Sequence, residues 1–298
     1  MTLNREQALS SPGDLASPLR RGRLSRFARL TLRHPSGLFC VVIVALWCAA
    51  AVAAHPLVGS PFAMDAQHVL SGPSSLHLLG TDEQGRDVLA RVVYGARTSL
   101  YVGFLAVLAG TMLGTVVGVT SGFWGGLYDL ITQRVVDAFM AIPPLLLALA
   151  LVTALGESLN LVVLAIALTF APMITRIARI ATCSLRSSLM VQAATCAGAS
   201  DRRILLRHIL PNMVSSVVVL ASSYFSLAII VEASLSFVGF GVAPPQPSWG
   251  NMLAAGARPY LLRAPWIGIA PGVALISVAL AFNFLGDTLR DMMDPKSR

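Results

Sequence analysis

The chain carries apolar runs too long to be absorbed by the core of a soluble domain: roughly 37–57, 99–122, 129–153, 160–182, 213–238 and 265–287, each rich in leucine, alanine and valine. A helix of about 20 residues crosses the ~30 Å hydrocarbon layer of a bilayer, and it satisfies its own backbone donors and acceptors, as lipid requires. The runs predict an all-α polytopic membrane protein with about six transmembrane helices. They are continuous instead of alternating between apolar and polar positions, which argues against a membrane β-barrel. With 55% hydrophobic and 12% charged residues, the composition sits far from the ~25% charged of a soluble domain. The first run begins late, spans a full bilayer and lacks a cleavage context, so it reads as a retained anchor.

The net charge of +8 raises the question of nucleic acid, and the placement of the cations answers it. Seventeen of the 22 Lys and Arg residues fall in the first 36 residues, near 134, in 176–207 or after 288, and five fall in the intervening loops. That is the positive-inside asymmetry, and it puts both termini and the segment 184–212 in the cytoplasm. The arginines are dispersed among loops and not interleaved with aromatics on one surface, so no nucleic-acid partner is expected. The chain divides into a basic tail (1–36) that can anchor on lipid headgroups, a first span (37–57), an outer segment (58–98), a core (99–290) and a short cytoplasmic tail (291–298).

Within the outer segment, Thr81 and Gln84 have capping-box spacing, and Val88, Leu89, Val92, Val93 and Ala96 recur at helical spacing opposite Arg86 and Asp87. This predicts a short amphipathic helix on the outer surface, either a mere elbow between spans or a docking site. Gly110, Gly114, Gly118 and Gly122 form one stripe of the second span, where another backbone can approach closely. Asp129, Arg134 and Asp137 cluster at the start of the third span, and Pro143-Pro144, Pro172 and Pro271 predict kinks.

The polar stretch Gln192–Pro211 lies between two of the most apolar runs. Its helical spacing continues through Leu189, Ala193, Ala194 and Ala197, with Gly198 as a stop. Ser200 or Asp201 can cap a second helix, with Arg203 and Arg207 on one edge and Leu205, Leu206 and Ile209 on the other. Two readings are open: an amphipathic loop on anionic lipid, or a small-residue knob seated in a groove of another protein.

At these residues the sequence resembles the membrane permease subunits of ABC importers. Gln192-Ala193-Ala194, Gly198 and Ile209-Leu210-Pro211 match the Glu-Ala-Ala loop of that family, with glutamine where glutamate is usual. Further matches are Gly80-Thr81-Asp82, Gly85 through Leu89, Tyr94 through Arg97, Glu232 through Phe237, PPQPSWGNM around Pro247, and Gly286-Asp287 on to Asp294-Pro295. They are most similar to the C-type subunit of the dipeptide, oligopeptide and nickel branch. The resemblance implies a type I importer fold in the bacterial inner membrane. It also implies a homologous permease partner, two ATP-binding subunits that hold ATP and Mg, and an extracytoplasmic solute-binding protein. On that basis Gln192, Ala193, Ala194, Gly198, Asp201, Arg203, Ile209, Leu210 and Pro211 are the candidate contacts to an ATPase. Asp82, Arg86, Glu232, Trp249, Asn251 and Met252 are outer-face or pathway candidates, although for Glu232 a structural hydrogen bond is the stronger expectation.

No GxxxxGK[ST] phosphate loop occurs, so ATP chemistry is expected in partner subunits and no cofactor on this chain. No metal site is expected either, because the histidines are scattered and the four cysteines lack ligand spacing. The main alternative, an ion-coupled secondary transporter, would need acidic residues at the middle of its spans, where the runs have almost none. An intramembrane serine hydrolase built on Ser200 and His208 is a remoter alternative, without an evident oxyanion site.

Overall fold

The computed structural model describes residues 35–293 apart from Glu157, Arg258, Pro259 and Leu261; the basic tail and the ending at Asp294-Pro295 lie outside the described residues. The helices in chain order are α1 (Pro35–Val52), α2 (Ala54–Val58), α3 (Val88–Trp124), α4 (Gly126–Met140), α5 (Pro144–Leu155), α6 (Leu159–Arg186), α7 (Leu189–Cys196), α8 (Asp201–Ile204), α9 (Leu210–Val238), α10 (Trp249–Ala257) and α11 (Trp266–Met293). Among the described residues α3, α6, the continuous unit Asp201–Val238 and α11 are each long and apolar enough to cross a membrane. The paired α4 and α5 pass as a fifth span, and Gly37–Val52 is a shorter apolar helix.

The third apolar run is thus not one kinked helix but two, bent by 94°. Pro143 and Pro144 supply no backbone N–H at the point where the ladder of α4 would continue, and Pro144 opens α5 in the first-turn position that proline tolerates.

The sequence's amphipathic helix and second span are likewise a single helix. α3 has 37 residues, about 55 Å at 1.5 Å per residue, so one end projects well past any bilayer. Its cap is Asp87, whose Oδ1 accepts the Ala90 N–H at 2.8 Å; Thr81 and Gln84 do not cap it. The chain cannot be helical from Thr81, because Gly85 turns it at φ +72, and a Cβ there would lie 2.0 Å from the Asp65 carbonyl oxygen.

The glycine stripe of α3 lies against α6. A Cβ at Gly110, Gly114, Gly118 or Gly122 would fall 2.8, 2.7, 2.3 and 2.8 Å from the carbonyl oxygens of Ala167, Ala171, Thr175 and Arg179 respectively. Both series advance together, so the two helices run parallel with their backbones in contact. Beside them Val102, Ala106, Ile166, Phe170, Phe225, Ile229, Ala274 and Val278 form the main core, with the Phe225 and Phe282 rings stacked at 3.7 Å. Trp47 ties α1 to this body, donating to the Ser277 hydroxyl at 2.9 Å and meeting the Trp249 ring edge-on. The outward faces, with Phe39, Phe104, Val116, Ile180 and Val273 exposed, are apolar.

Candidate coupling site and the opposite face

One end of the bundle is formed by residues 187–209, here the proximal face; the other, the distal face, carries residues 59–87 and 239–265. On the proximal face α7 ends in a two-bond cap. The Gly198 N–H reaches the Thr195 carbonyl and the Ala199 N–H the Ala194 carbonyl, both at 3.0 Å. This is the Schellman arrangement, and it requires the left-handed φ of +77 at Gly198. Nothing within 4 Å would meet a Cβ there, so the glycine is needed for conformation and leaves an open surface. Gln192 bends back to donate to the Ser187 carbonyl at 3.0 Å.

The second short helix expected after Ser200 does not stand alone. α8 passes through the π-turn Leu205–Ile209 directly into α9, with the Leu210 N–H bonded to the Leu205 carbonyl. Pro211 is the physical cause. It has no N–H for the Arg207 carbonyl and its ring crowds that group, so the ladder widens by one residue. The Asn212 side chain takes up the His208 carbonyl at 2.6 Å.

The structure splits the loop candidates into two sets. Gln192, Ala193, Gly198, Asp201, Arg203 and Pro211 are exposed and Ala194 is half-buried. Ile209 is fully buried and Leu210 half-buried, so these two anchor the loop and offer little surface. With Val191, Ile204 and Met213, Ile209 packs on Val119 and Phe123 of α3 and Ala178 of α6. The knob is therefore joined to the helix pair that forms the spine of the bundle. Leu189, Met190 and Leu206 stay exposed around it as an apolar rim, of which the sequence reading named Leu189 and Leu206 but not Met190.

Next to the knob, α4 is clamped to α6. Asp129 accepts two bonds from Arg179, each at 2.5 Å, and Asp137 pairs with Arg176. The cluster read from sequence holds in part: the mostly exposed Arg134 makes a loose ion pair with Asp137 at 3.9 Å, while the closer bonds to both acids come from Arg176 and Arg179. Those two arginines lie on a helix about 40–50 residues away in sequence.

On the distal face the candidates prove to be internal supports. Asp82 and Arg86 are 2% and 8% exposed, the Arg86 Nε donates to Asp82 at 2.6 Å, and the Arg91 Nε lies 3.4 Å from the same carboxylate. Trp249 is wholly buried, donating from Nε1 to the Val92 carbonyl at 3.0 Å, and Met252 is 3% exposed. Asn251 forms a capping box with Ser248: its Oδ1 accepts the Ser248 N–H at 3.1 Å and the Ser248 hydroxyl accepts the Asn251 N–H at 3.3 Å. Glu232 is wholly buried and receives the hydroxyls of Ser99 at 3.1 Å and Ser236 at 2.8 Å. Exposed apolar residues here include Phe62, Met64, Leu76 and Leu78. Nearby, the His68 hydrogen bond, and after it the Gln67 N–H, hold the Asp65 carboxyl below the usual carboxylate range.

Residues 110–298 match the family described as binding-protein-dependent transport system inner membrane component. The chain belongs to that family. This permease is 40% identical over 292 residues to a putative peptide transport system permease of Brucella abortus, covering 97% of each chain. It is 39% identical over 259 residues to the dipeptide permease DppC of Alkalihalophilus pseudofirmus, covering 87% of this chain and 85% of that one. The glutathione permease GsiD of Pectobacterium atrosepticum is 41% identical over 273 residues, with 91% of this chain and 89% of that protein covered. Among solved structures, a chain of the inward-facing MetNI methionine ABC transporter superposes with a TM-score of 0.57 at 19% identity, covering 69% of this permease and 98% of that chain. The fold is that of an ABC importer transmembrane subunit.

Proposed function

We propose that this permease imports di- or oligopeptides, or a related small peptide such as glutathione, as one half of a permease pair driven by two ATP-binding subunits. The observation that carries the reading is the near full-length identity to peptide, dipeptide and glutathione permeases. In this reading the proximal face is cytoplasmic and α7 seats in a cleft of an ATPase. The exposed Gln192, Ala193 and Gly198 are the contact, with Asp201 and Arg203 at its edge. Closure of the ATPases on ATP displaces α7, and the anchor of Val191, Ile204 and Ile209 passes that displacement to α3 and α6. The bundle then rocks between inward-open and outward-open forms.

Solute arrives on a binding protein at the distal face. The exposed Phe62, Met64, Leu76 and Leu78 fit that contact better than the buried Trp249, and an exposed apolar group of this kind marks interaction surfaces. The buried acid Glu232 has both oxygens bonded to serine hydroxyls, so it supports a structural role and lends nothing to ion-coupled transport.

A photo-crosslinker at position 193, in membranes holding the assembled transporter, tests the docking. Capture of an ATP-binding subunit is the expected result; adducts with lipid alone overturn it. Uptake of labelled dipeptide into vesicles loaded with ATP should persist when the proton gradient is collapsed, and loss of uptake on that collapse overturns the ATP-driven reading.

A further inference from the structure

The fold gathers on the distal face two histidines that are nine residues apart in sequence. His68 closes the 3-10 turn Ala66–His68, and His77 lies on the loop leading to α3. Their ring centroids are 5.9 Å apart. One ligand atom from each of Asp65, His68 and His77 lies within 4.8 Å of the other two.

Each imidazole is oriented by a carboxylate. The His77 Nδ1 is 2.8 Å from Asp87 Oδ2, and the His68 Nδ1 is 2.7 Å from Asp65 Oδ2. A carboxylate on Nδ1 holds the proton there, so the His77 Nε2 presents a lone pair, with Asp87 in the orienting place of a carboxylate–histidine–metal arrangement; the Asp65–His68 bond instead joins two candidate ligands directly. For His77 this lone pair is stranded: Nε2 is buried and has no protein partner. A buried acceptor without a donor is costly, and a cation relieves it.

We infer that Asp65, His68 and His77 form a site for a divalent transition-metal ion that favours imidazole nitrogen, zinc foremost. Two imidazoles and one carboxylate are a borderline donor set, suited to Zn2+, Ni2+ or Co2+ and poorly to Ca2+ or Mg2+. His77 is the more buried member, with its side chain 15% exposed, while Asp65 and His68, bonded to each other, are 39% and 44% exposed. A tetrahedral ion with nitrogen and oxygen at ~2.0–2.1 Å takes the place of the proton shared by His68 Nδ1 and Asp65 Oδ2, while Asp65 Oδ1 keeps the Gln67 N–H, and leaves a fourth position open to water or an incoming ligand. Asp65 also fixes the backbone of this region, since its N–H donates to the Gly85 carbonyl at 3.1 Å. The ion therefore joins the 3-10 turn to the segment that caps α3.

The test uses the full chain, purified in detergent with a histidine-free tag and stripped with chelator. Equilibrium dialysis against Zn2+ should give one ion per chain, with His68→Gln and His77→Gln each weakening binding at least tenfold and His55→Gln leaving it unchanged. Asp87→Asn, which retains a capping side chain, should weaken it by about 10–100-fold as loss of an orienting group does. His68→Gln keeps the His77–Asp87 bond, so it decides even if His77→Gln fails to fold. Titration with Co2+ should give visible d–d bands that disappear in His68→Gln. No stoichiometric Zn2+ in the wild type at 100-fold excess of metal, or equal affinity in His68→Gln, overturns the site.

Discussion

An acid inside a membrane-crossing bundle is tolerated only where donors take up its lone pairs. Glu232 meets that condition with Ser99 from α3 and Ser236 one turn along its own helix, and Ser99 also accepts the Trp249 N–H at 3.3 Å. Replacing it by alanine leaves those hydroxyls short of a partner and opens a void, so Glu232→Ala should lose about 1–3 kcal/mol of stability, whereas Glu232→Gln keeps the acceptor and most of the volume. Thermal unfolding in detergent checks the order, and equal midpoints for the two variants would contradict it. Gly198 is constrained differently. Its φ of +77 and the open space around it mean that Gly198→Ala adds only a left-handed conformational cost, about 1–2 kcal/mol. Gly198→Trp adds bulk on the surface proposed to dock as well. Uptake should fall modestly in the first variant and vanish in the second; comparable uptake in both would separate the surface from the partner contact.

Helices that contact through backbone are set by the glycines that permit it, and α3 and α6 are such a pair. Gly118 is the tightest point, with a Cβ position 2.3 Å from the Thr175 carbonyl oxygen. Gly118→Leu should force the helices apart at a cost of about 1–3 kcal/mol or more, read as a lowered melting temperature and loss of assembled transporter. Gly126→Ala, at a glycine with no neighbour within 4 Å but a φ of +62, should cost only the left-handed conformational penalty of about 1–2 kcal/mol and leave the helix pair intact. The stripe was legible because a four-residue repeat of glycine has one geometric consequence on a helix. The spans were legible for a similar reason, since lipid imposes length and apolarity on each element separately. What escaped was everything decided by a partner distant in sequence. Arg179 and Arg176 bond the acids of the local cluster more closely than Arg134, which keeps only a loose pair with Asp137. The Asp65 carbonyl forces Gly85 to turn where a capping box was expected. Pro143-Pro144 announced a kink, but the 94° angle depends on what α5 packs against. The Ser248–Asn251 box went unseen because asparagine stands at the position where glutamate or glutamine is the usual signal. His68 and His77 read as scattered until folding placed their rings 5.9 Å apart.

For the molecule as a whole, the charge distribution and the architecture make a joint claim about orientation. The cations cluster in segments that include 176–207, and the fold concentrates Arg186, Arg202, Arg203 and Arg207 at the proximal face around the knob. The proposed docking of an ATP-binding subunit on that face puts it in the cytoplasm, and the positive-inside rule independently favours the same orientation. Cys196, exposed at the end of α7, is a native reporter. In a variant retaining Cys196 and carrying serine at positions 40, 48 and 183, a membrane-impermeant maleimide should leave intact spheroplasts unlabelled and react readily with inside-out vesicles. Adding the assembled ATP-binding subunits should then slow labelling in the vesicles, because the proposed cleft around α7 would cover the thiol. Reaction from outside would invert the bundle and remove the proximal face from any ATPase. Labelling from inside at an unchanged rate with the subunits bound would keep the orientation but exclude this end of α7 from the contact.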